Sequence, residues 1–350
     1  MSFRFLHTAD WQLGKPFTRF DPGLRGRLEA ARLETISRMA DAARRGGAGH
    51  VLVAGDVFDQ EQPSDAILSR SLARLAAADD LHWWLLPGNH DPAGRESLWQ
   101  RAARQGLPAH VHLLTEAKPT TMAPGVSLLP APWTSKRPGR DLTEEWDDWA
   151  TPEGDVRLGI AHGGTQGFGS EAEDEVIIDP RRAERAGLSY LALGDWHGLK
   201  QAAPRTWYSG TPEPDGFRNN QQGYALLVEL GQAPEAIPTA SFDWRLERLE
   251  TDRVSDPCAA FEAMFPAGVV DHVLIRADLA GHLSLRDWAI IETAAALHTA
   301  RLACFELRTA ELSVSAQESD LDALRDGPFA SVVSRLLGGD KDSDTREKAL

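Results

Sequence analysis

Residues that can bind a divalent metal follow five short apolar runs in the first two thirds of the chain. They supply carboxylates, imidazoles and amides but no cysteine, and such ligands suit hard to borderline cations such as Mn²⁺ or Mg²⁺. Two ions side by side can hold the attacking and leaving oxygens of a phosphoryl displacement. The pattern therefore indicates a metal centre for phosphoryl chemistry. Its candidate residues are Asp10 with Gln12, Asp56, the run Asn89-His90-Asp91, His162, and Asp195 with His197.

The apolar runs alternate with helical patterns, which predicts an α/β fold. Apolar residues at helical spacing predict one helix over about 24–45 and another over about 64–79, with Ser64 as the N-cap of the second. Ligands bind at the carboxyl ends of the strands in such sheets, so five polar clusters at five strand ends can meet at one site. Strand-like runs at 119–133 and 206–230 predict a second, more antiparallel sheet.

Glycines stand beside four of the candidate ligands. A glycine lets the backbone turn tightly and leaves room for an anion close to the metals. These glycines are Gly55, Gly88, Gly163 and Gly194.

The order of the blocks resembles that of the calcineurin-like metallophosphoesterases: Asp-x-His, Gly-Asp, Gly-Asn-His, a lone His and Gly-His-x-His. The resemblance covers about residues 3–230. Within this superfamily, "HTADWQLGKPF", "GDVFD", "YSGTPEP" and a small trailing domain are most similar to SbcD-type nuclease subunits of DNA repair complexes. The resemblance implies a four-layer α/β/β/α sandwich with a small C-terminal α+β capping domain. It also implies two divalent metal ions, bridged by Asp56, that activate a hydroxide.

The resemblance also implies a ligand set for each metal, with two departures from the family pattern. The first metal would be bound by Asp10, Gln12, Asp56 and His197, and the second by Asp56, Asn89, His162 and Asp195. Gln12 and Asp195 stand where the family has histidines. We expect both to bind through oxygen, which favours Mn²⁺ or Mg²⁺ over Zn²⁺. The alternative is one tightly bound metal and a second that arrives with the substrate.

By the same resemblance, His90 stabilises the phosphoryl group or protonates the leaving oxygen. We expect its neighbour Asp91 to orient it, as carboxylates next to metal-site residues often do. Trp11 and Trp196 adjoin ligand positions and either stack on a base or pack beneath the site. A basic run from Lys15 to Arg32 either follows a phosphate backbone or forms a solvated helix face. The predicted substrate contacts are Trp11, Lys15, Arg19, Trp196, Tyr208 and Ser209, the last two by resemblance alone.

The chain is acidic, with a formal net charge of −15, which on its own argues against a polyanionic partner. The charge is uneven, however. Residues 1–50 contain nine Lys or Arg against five Asp or Glu, whereas residues 141–155 contain seven acids and no base. Bound divalent cations would also offset acids that converge on a site. The net charge therefore does not exclude nucleic acid.

Composition also predicts compartment and domains. Cys258 and Cys304 fit a reducing cytoplasm as buried apolar groups, with a disulfide as the less favoured alternative. No apolar run approaches the length of a membrane span, and the N-terminal segment does not resemble a secretory signal. The Gly-, Pro- and Ala-rich stretch 231–240 predicts a boundary between a nuclease domain, 1–235, and a capping domain, 240–338. The polar stretch 339–350 is predicted to be disordered.

The leading expectation is a cytoplasmic, Mn²⁺-dependent DNA exonuclease, with additional endonuclease activity left open. The resemblance implies a homodimer and an SbcC-type ATPase partner. A small-molecule phosphodiesterase or phosphatase is one alternative, and the net acidity favours it. A non-catalytic metal-binding scaffold is the other, and Gln12 and Asp195 favour that one.

Overall fold

A computed structural model describes residues 3–165, 177–217 and 222–315 of the chain. The described residues form two compact units. The first contains the residues up to Asp215 and those from 222 to 242, and the second contains Gly216, Phe217 and the residues from Asp243 onwards. The last part of the predicted capping domain, 316–338, and the predicted disordered tail lie outside the described residues.

The first unit contains most of the regular structure. Its strands are β1 (Arg4–Thr8), β2 (His50–Val53), β3 (His82–Leu85), β4 (Val111–Leu113), β5 (Thr120–Ala123), β6 (Val126–Ala131), β7 (Val156–His162), β8 (Gly164–Thr165), β9 (Ile177–Ile178), β10 (Tyr190–Gly194), β11 (Lys200–Ala203), β12 (Thr206–Tyr208), β13 (Tyr224–Glu229) and β14 (Glu235–Pro238). Its helices are α1 (Pro22–Arg45), α2 (Asp65–Ala77), α3 (Leu98–Arg104) and α4 (Arg182–Arg185), with a 3₁₀ turn at Glu144–Asp147.

Two six-stranded sheets dominate this unit. The first has the order β14-β13-β1-β2-β3-β4, with β1 to β4 parallel. The second has the order β11-β12-β10-β7-β6-β5, with parallel central strands and antiparallel edges. The expectation of a more antiparallel second sheet is wrong, because each of the two sheets has three parallel and two antiparallel strand pairings. Both sheets therefore contribute strand ends that carry candidate ligands.

Three apolar clusters hold the unit in four layers. The outer face of the first sheet packs on α1 and α2, for example through Trp83, Ile36 and Leu68. Its inner face meets the second sheet through residues such as Trp84 and Leu158. The far side of the second sheet is covered by the 3₁₀ turn and α4. This arrangement confirms the predicted α/β/β/α sandwich.

Local chemistry explains where the two long helices start. The Asp21 carboxylate accepts hydrogen bonds from the amides of Gly23 and Leu24, and Pro22 fits the first turn, where it has no N–H to leave unpaired. Ser64 caps α2 by accepting from the Ile67 amide, as predicted. Each helix returns the chain to the start of a parallel strand, which brings the ends of β1, β2 and β3 to one edge of the sheet.

The second unit contains β15 (Asp243–Glu250), β16 (Val270–Ser284) and β17 (Leu302–Ser315), with α5 (Pro257–Glu262), α6 (Leu285–Thr299) and a 3₁₀ turn at Thr251–Arg253. Its three strands are parallel in that order, with helices in the connections, whereas the prediction described this part as α+β. Cys258 and Cys304 are partly exposed and are not joined in a disulfide. Among the helices that the structure describes, none is long and apolar enough to cross a membrane.

Candidate metal centre

Several predicted ligands have a left-handed backbone, which L-residues other than glycine adopt at a cost of about 1–2 kcal/mol each. Asp10 has a φ of 53°, Asp56 of 51° and Asp195 of 96°. Gln12, with a φ of 44°, shares this conformation. All four follow β1, β2 or β10 within a few residues. Strain of this kind persists where the surrounding structure fixes a side chain for a task, so it marks these strand ends as a site.

The four ligands predicted for the second metal lie together, with the oxygen atoms of three of them around the imidazole of the fourth, His162. Its Nε2 lies 2.8 Å from Asn89 Oδ1, 3.5 Å from Asp56 Oδ1 and 3.8 Å from Asp195 Oδ1. Its Nδ1 donates to the Ala54 carbonyl at 2.9 Å, which aims Nε2 at these oxygens. Ligand atoms of Asp10, Asp56 and His162 also lie within 4.8 Å of one another. Oxygen atoms and one imidazole so placed fit a divalent cation.

The charges of this cluster are those of a cation site. Burial on its own lowers the pKa of His162, but the carboxylates of Asp56, Asp10 and Asp195 outweigh it and raise that pKa to about 9. Burial also raises the pKa of Asp10 well above its usual range, and the charges of Asp56 and Asp195 act in the same direction. Several carboxylates so close together stay ionised only beside a positive charge, which a bound cation would supply.

The glycines beside the ligands make room for ligand side chains. A Cβ on Gly88 would lie 2.2 Å from Asp56 Oδ1, and a Cβ on Gly55 would lie 2.1 Å from His162 Nδ1. At Gly194 a Cβ would lie 2.0 Å from the Ala54 carbonyl oxygen. The space at these three positions is therefore taken by the protein itself, and the expectation that it accommodates an anion is wrong.

The first metal position does not assemble in the same way. Lys15 Nζ lies 3.0 Å from Gln12 Oε1, and because an ammonium only donates, the atom that faces it must be the amide oxygen. The amide nitrogen of Gln12 then points to His197 Nε2, at 3.3 Å. Lys15 therefore uses one of the two lone pairs of the Gln12 oxygen, and the N–H group has no free electron pair, so metal binding by Gln12 through its oxygen stays a prediction.

His90 is the exposed imidazole beside the centre. Its side chain is 43% exposed, and its Nε2 lies 3.9 Å from Asp56 Oδ2. Its backbone N–H donates to Asp56 Oδ1 at 3.0 Å, and its Nδ1 donates to the Asp59 carbonyl oxygen at 2.9 Å. These bonds fix the ring and leave Nε2 available for proton transfer next to the ligand cluster.

Asp91 has a structural role instead of the predicted orienting role. Its buried carboxylate accepts from the Gly88 amide at 2.6 Å and from the Phe58 amide at 2.9 Å. Because the Asp59 carbonyl orients His90, the prediction that Asp91 does so is wrong. Asp91 instead ties the loop after β3 to the loop after β2.

Three predicted substrate contacts lie in the core. Trp11 is fully buried, donates from Nε1 to Thr8 Oγ1 and meets Trp83 edge-on. Tyr208 donates to the Gly163 carbonyl oxygen, and Ser209 is fully buried. The predicted contacts of Trp11, Tyr208 and Ser209 with substrate are wrong, because side chains in the core cannot reach a ligand. For Trp11, packing beneath the site was the alternative prediction.

The other predicted contacts are nearer to solvent. Trp196 is partly exposed, with Lys200 Nζ 5.7 Å from its ring. Arg19 is exposed and stacks on Phe20. Arg32, by contrast, is buried and donates to the carbonyl oxygens of Trp11 and Glu213, so the predicted basic run is partly structural.

Sequence reasoning missed Asp215. Its Oδ2 lies 2.5 Å from Lys15 Nζ and 3.8 Å from Arg32 Nη2. The Arg32, His197 and Lys15 charges overcome its burial and hold its pKa far below its usual range. Its lysine partner is 200 residues away in the chain, so no local spacing indicates the contact. The one available signal is its place directly after "YSGTPEP".

Similarity to known proteins is partial. The chain is 29% identical over 121 residues to the metallophosphoesterase YhaO of Bacillus subtilis, covering 33% of this chain and 28% of that protein. It is 36% identical over 114 residues to the SbcD component of the SbcCD nuclease of Rhodobacter capsulatus, covering 31% of this chain and 26% of that protein. The matches thus span about a quarter of either relative. The crystal structure of TT1561 of Thermus thermophilus aligns with a TM-score of 0.45 at 12% identity, covering 68% of this chain and 100% of that one.

The family itself follows from a longer match. The sequence profile of the calcineurin-like phosphoesterases matches residues 3–199, which is more than half of the 350-residue chain. This range contains each of the five strand ends that build the metal centre. The chain therefore belongs to the calcineurin-like phosphoesterase family.

Proposed function

We propose that the protein is a metal-dependent DNA phosphodiesterase, an exonuclease of the SbcD type that also cleaves internally. The observation that carries the proposal is the convergence of Asp56, Asn89, His162 and Asp195 beside the exposed His90. A divalent cation bound by these ligands would supply an activated water and neutralise charge on the phosphate. Three oxygen ligands and one imidazole favour Mn²⁺, followed by Mg²⁺, over Zn²⁺.

His90 is suited to serve the leaving group. Its Nδ1–H is held by the Asp59 carbonyl, so Nε2 is the nitrogen that exchanges a proton with the substrate. In its protonated form the ring can donate from Nε2 to the departing oxygen. Its exposure lets an extended chain reach it, whereas the ligands beneath it are largely buried.

Surface charge and similarity support DNA as the substrate. Arg19 and Arg27 are exposed at and near the start of α1, in the net basic N-terminal part of the chain. A surface cleft that includes Pro92, two residues after His90, is lined by Arg95 and by Lys136, which pairs with Glu61 of the same cleft at 3.0 Å. Cationic side chains can follow a phosphate backbone. The partial match to the SbcD component of a nuclease also supports DNA as the substrate. By the same similarity we propose that the protein forms a homodimer and has an SbcC-type ATPase as a partner.

The test uses end-labelled linear duplex and single-stranded DNA, with Mn²⁺, Mg²⁺ or no metal. Wild type should shorten the DNA stepwise with Mn²⁺, and both Asp56→Asn and His90→Ala should abolish the shortening. Asp80→Asn is the matched control, because this exposed carboxylate pairs with Arg44 away from the centre.

Two results would replace the proposal. Hydrolysis of bis-p-nitrophenyl phosphate without any cleavage of DNA would select a small-molecule phosphodiesterase. DNA binding without turnover of either substrate in any metal would select a scaffold.

A further inference from the structure

We propose that the metal centre holds one divalent cation, and that the Lys15 ammonium replaces the cation that the family places beside it. The inference rests on the proposed function, because it concerns the same site. It assigns the ion to the position formed by Asp56, Asn89, His162 and Asp195, with Asp10 alongside.

Lys15 lies among oxygens that belong to, or adjoin, the first metal position. Its Nζ is 3.0 Å from Gln12 Oε1, 2.5 Å from Asp215 Oδ2 and 3.9 Å from Asp59 Oδ1. A lysine ammonium is a compact positive charge with three donors, and it gathers oxygen atoms much as a small cation does. A positive charge is therefore already built into this side of the centre.

The atoms that would bind a first metal are engaged within the protein. Gln12 Oε1 accepts from Lys15, and the Gln12 amide nitrogen lies 3.3 Å from His197 Nε2, which leaves that nitrogen as the acceptor. Both carboxylate oxygens of Asp10 lie within hydrogen-bond distance of the Asp195 amide, at 3.1 Å and 3.2 Å. One N–H leaves lone pairs free on both oxygens of Asp10, so Asp10 and Asp56 are the members of the implied set that are left, and both also adjoin the second position.

Entry of a metal at the first position would require a concerted change. Gln12 would have to turn its amide over, and Lys15 would have to withdraw from it. Lys15 would then leave the Asp215 carboxylate, whose side chain is only 17% exposed, with Arg32 as the nearest cation at 3.8 Å. Separating a largely buried ion pair is costly, because a charge with little access to water loses its partner.

The experiment counts bound Mn²⁺ in the full chain, without DNA or any other substrate. Metal-free protein is equilibrated with saturating Mn²⁺, free ion is removed, and metal per chain is measured by mass spectrometry. Electron paramagnetic resonance then distinguishes isolated Mn²⁺ from an exchange-coupled pair. The variants are His162→Ala, His197→Ala and the double variant Gln12→His with Lys15→Met. Lys118→Met is the matched control, since Lys118 forms an exposed ion pair with Glu116.

We expect about one isolated Mn²⁺ per chain in wild type, Lys118→Met and His197→Ala, because the ion uses one set of oxygen and imidazole ligands. His162→Ala should lose the ion. The double variant should bind about twice as much Mn²⁺ and show a coupled signal, since an imidazole replaces the occupied amide and the competing ammonium is gone.

A wild-type content of two ions, or the loss of one ion in His197→Ala, would overturn the proposal. A double variant that stays at one ion would overturn the role of Lys15. If a variant fails to fold, the wild-type content and spectrum decide the number of ions. Because the count needs no DNA, one bound ion without DNA cleavage would count against the proposed function alone.

Discussion

Asp91→Asn should destabilise the first unit without acting directly on the chemistry. The Asp91 carboxylate accepts the Gly88 amide with one oxygen, at 2.6 Å, and the Phe58 amide with the other, at 2.9 Å. These bonds join the loops that carry Asn89 and Asp56. Asparagine has one acceptor oxygen and one NH₂ group, so one of the two backbone N–H groups would face another donor.

The magnitude combines two losses and one gain. A hydrogen bond to an ionised acceptor contributes about 1.5–3 kcal/mol, and a buried N–H without a partner costs about 1–3 kcal/mol. Burial raises the pKa of Asp91 to about 8, so the group is an ionised acceptor only above that pH, and unfolding is compared at about pH 9. Because the carboxylate is poorly solvated, a neutral amide recovers part of the loss. We expect the free energy of unfolding to fall by about 2–4 kcal/mol.

Urea unfolding followed by tryptophan fluorescence measures this change, with phosphoesterase activity recorded on the same samples below the transition. Asp80→Asn is the control, because this exposed carboxylate lies outside the ligand loops, and its unfolding curve should stay close to that of wild type. An Asp91→Asn protein with wild-type stability and no activity would refute the reasoning. That result would return Asp91 to the catalytic role predicted from sequence.

Gly88→Ala would place a Cβ 2.2 Å from Asp56 Oδ1, so calorimetric titration with Mn²⁺ should show an affinity about 10–100-fold lower. Burial lowers the pKa of His7 to about 3 in the folded protein. As the pH falls below about 6.5, His7 therefore binds a proton in the unfolded chain but stays neutral in the folded protein. Between pH 7 and pH 5, wild type should therefore lose about 2 kcal/mol more of its free energy of unfolding than His7→Gln loses, as measured by urea unfolding at the two pH values. An equal loss in the two proteins would exclude this account. Arg32→Met should cost about 3–5 kcal/mol of stability but leave the salt dependence of DNA binding unchanged. Arg27→Ala should lower by about 1 the slope of the logarithm of the DNA-binding constant against the logarithm of the salt concentration. If binding titrations show a lower slope for Arg32→Met and an unchanged slope for Arg27→Ala, then Arg32 contacts DNA and Arg27 does not.

The alternation of strands and helices and the strand ends were predictable because their signals are local, whereas the four layers were implied by the family resemblance. Each ligand follows its own apolar run, and parallel strands bring such positions to one edge without further information. The Ser64 cap likewise depends on residues three apart. Direction within the second sheet was not predictable, because an apolar run looks the same in parallel and antiparallel pairing.

The occupants of the first metal position depend on distant contacts. Gln12 offers an oxygen or an N–H, and the choice is made by Lys15, which is held by Asp215. Trp11 suits stacking on a base and packing in a core equally well by residue type. Its neighbour Trp83, 72 positions along the chain, settles the question. Residue type gave the candidates at these positions, and only the tertiary contacts decided among them.

The pairing of β1 with β13 has a consequence for how the chain is made. Arg4 lies opposite Glu229 and His7 opposite Leu226, so β1 lacks one of its two neighbours until nearly two thirds of the chain has been synthesised. Until then β1 is an edge strand, with unpaired N–H and C=O groups that can join another chain. Contacts of such long sequence separation also form slowly. The nascent protein is therefore exposed to aggregation at this edge until β13 has been synthesised, and a product that stops before β13 keeps the metal ligands but leaves β1 open.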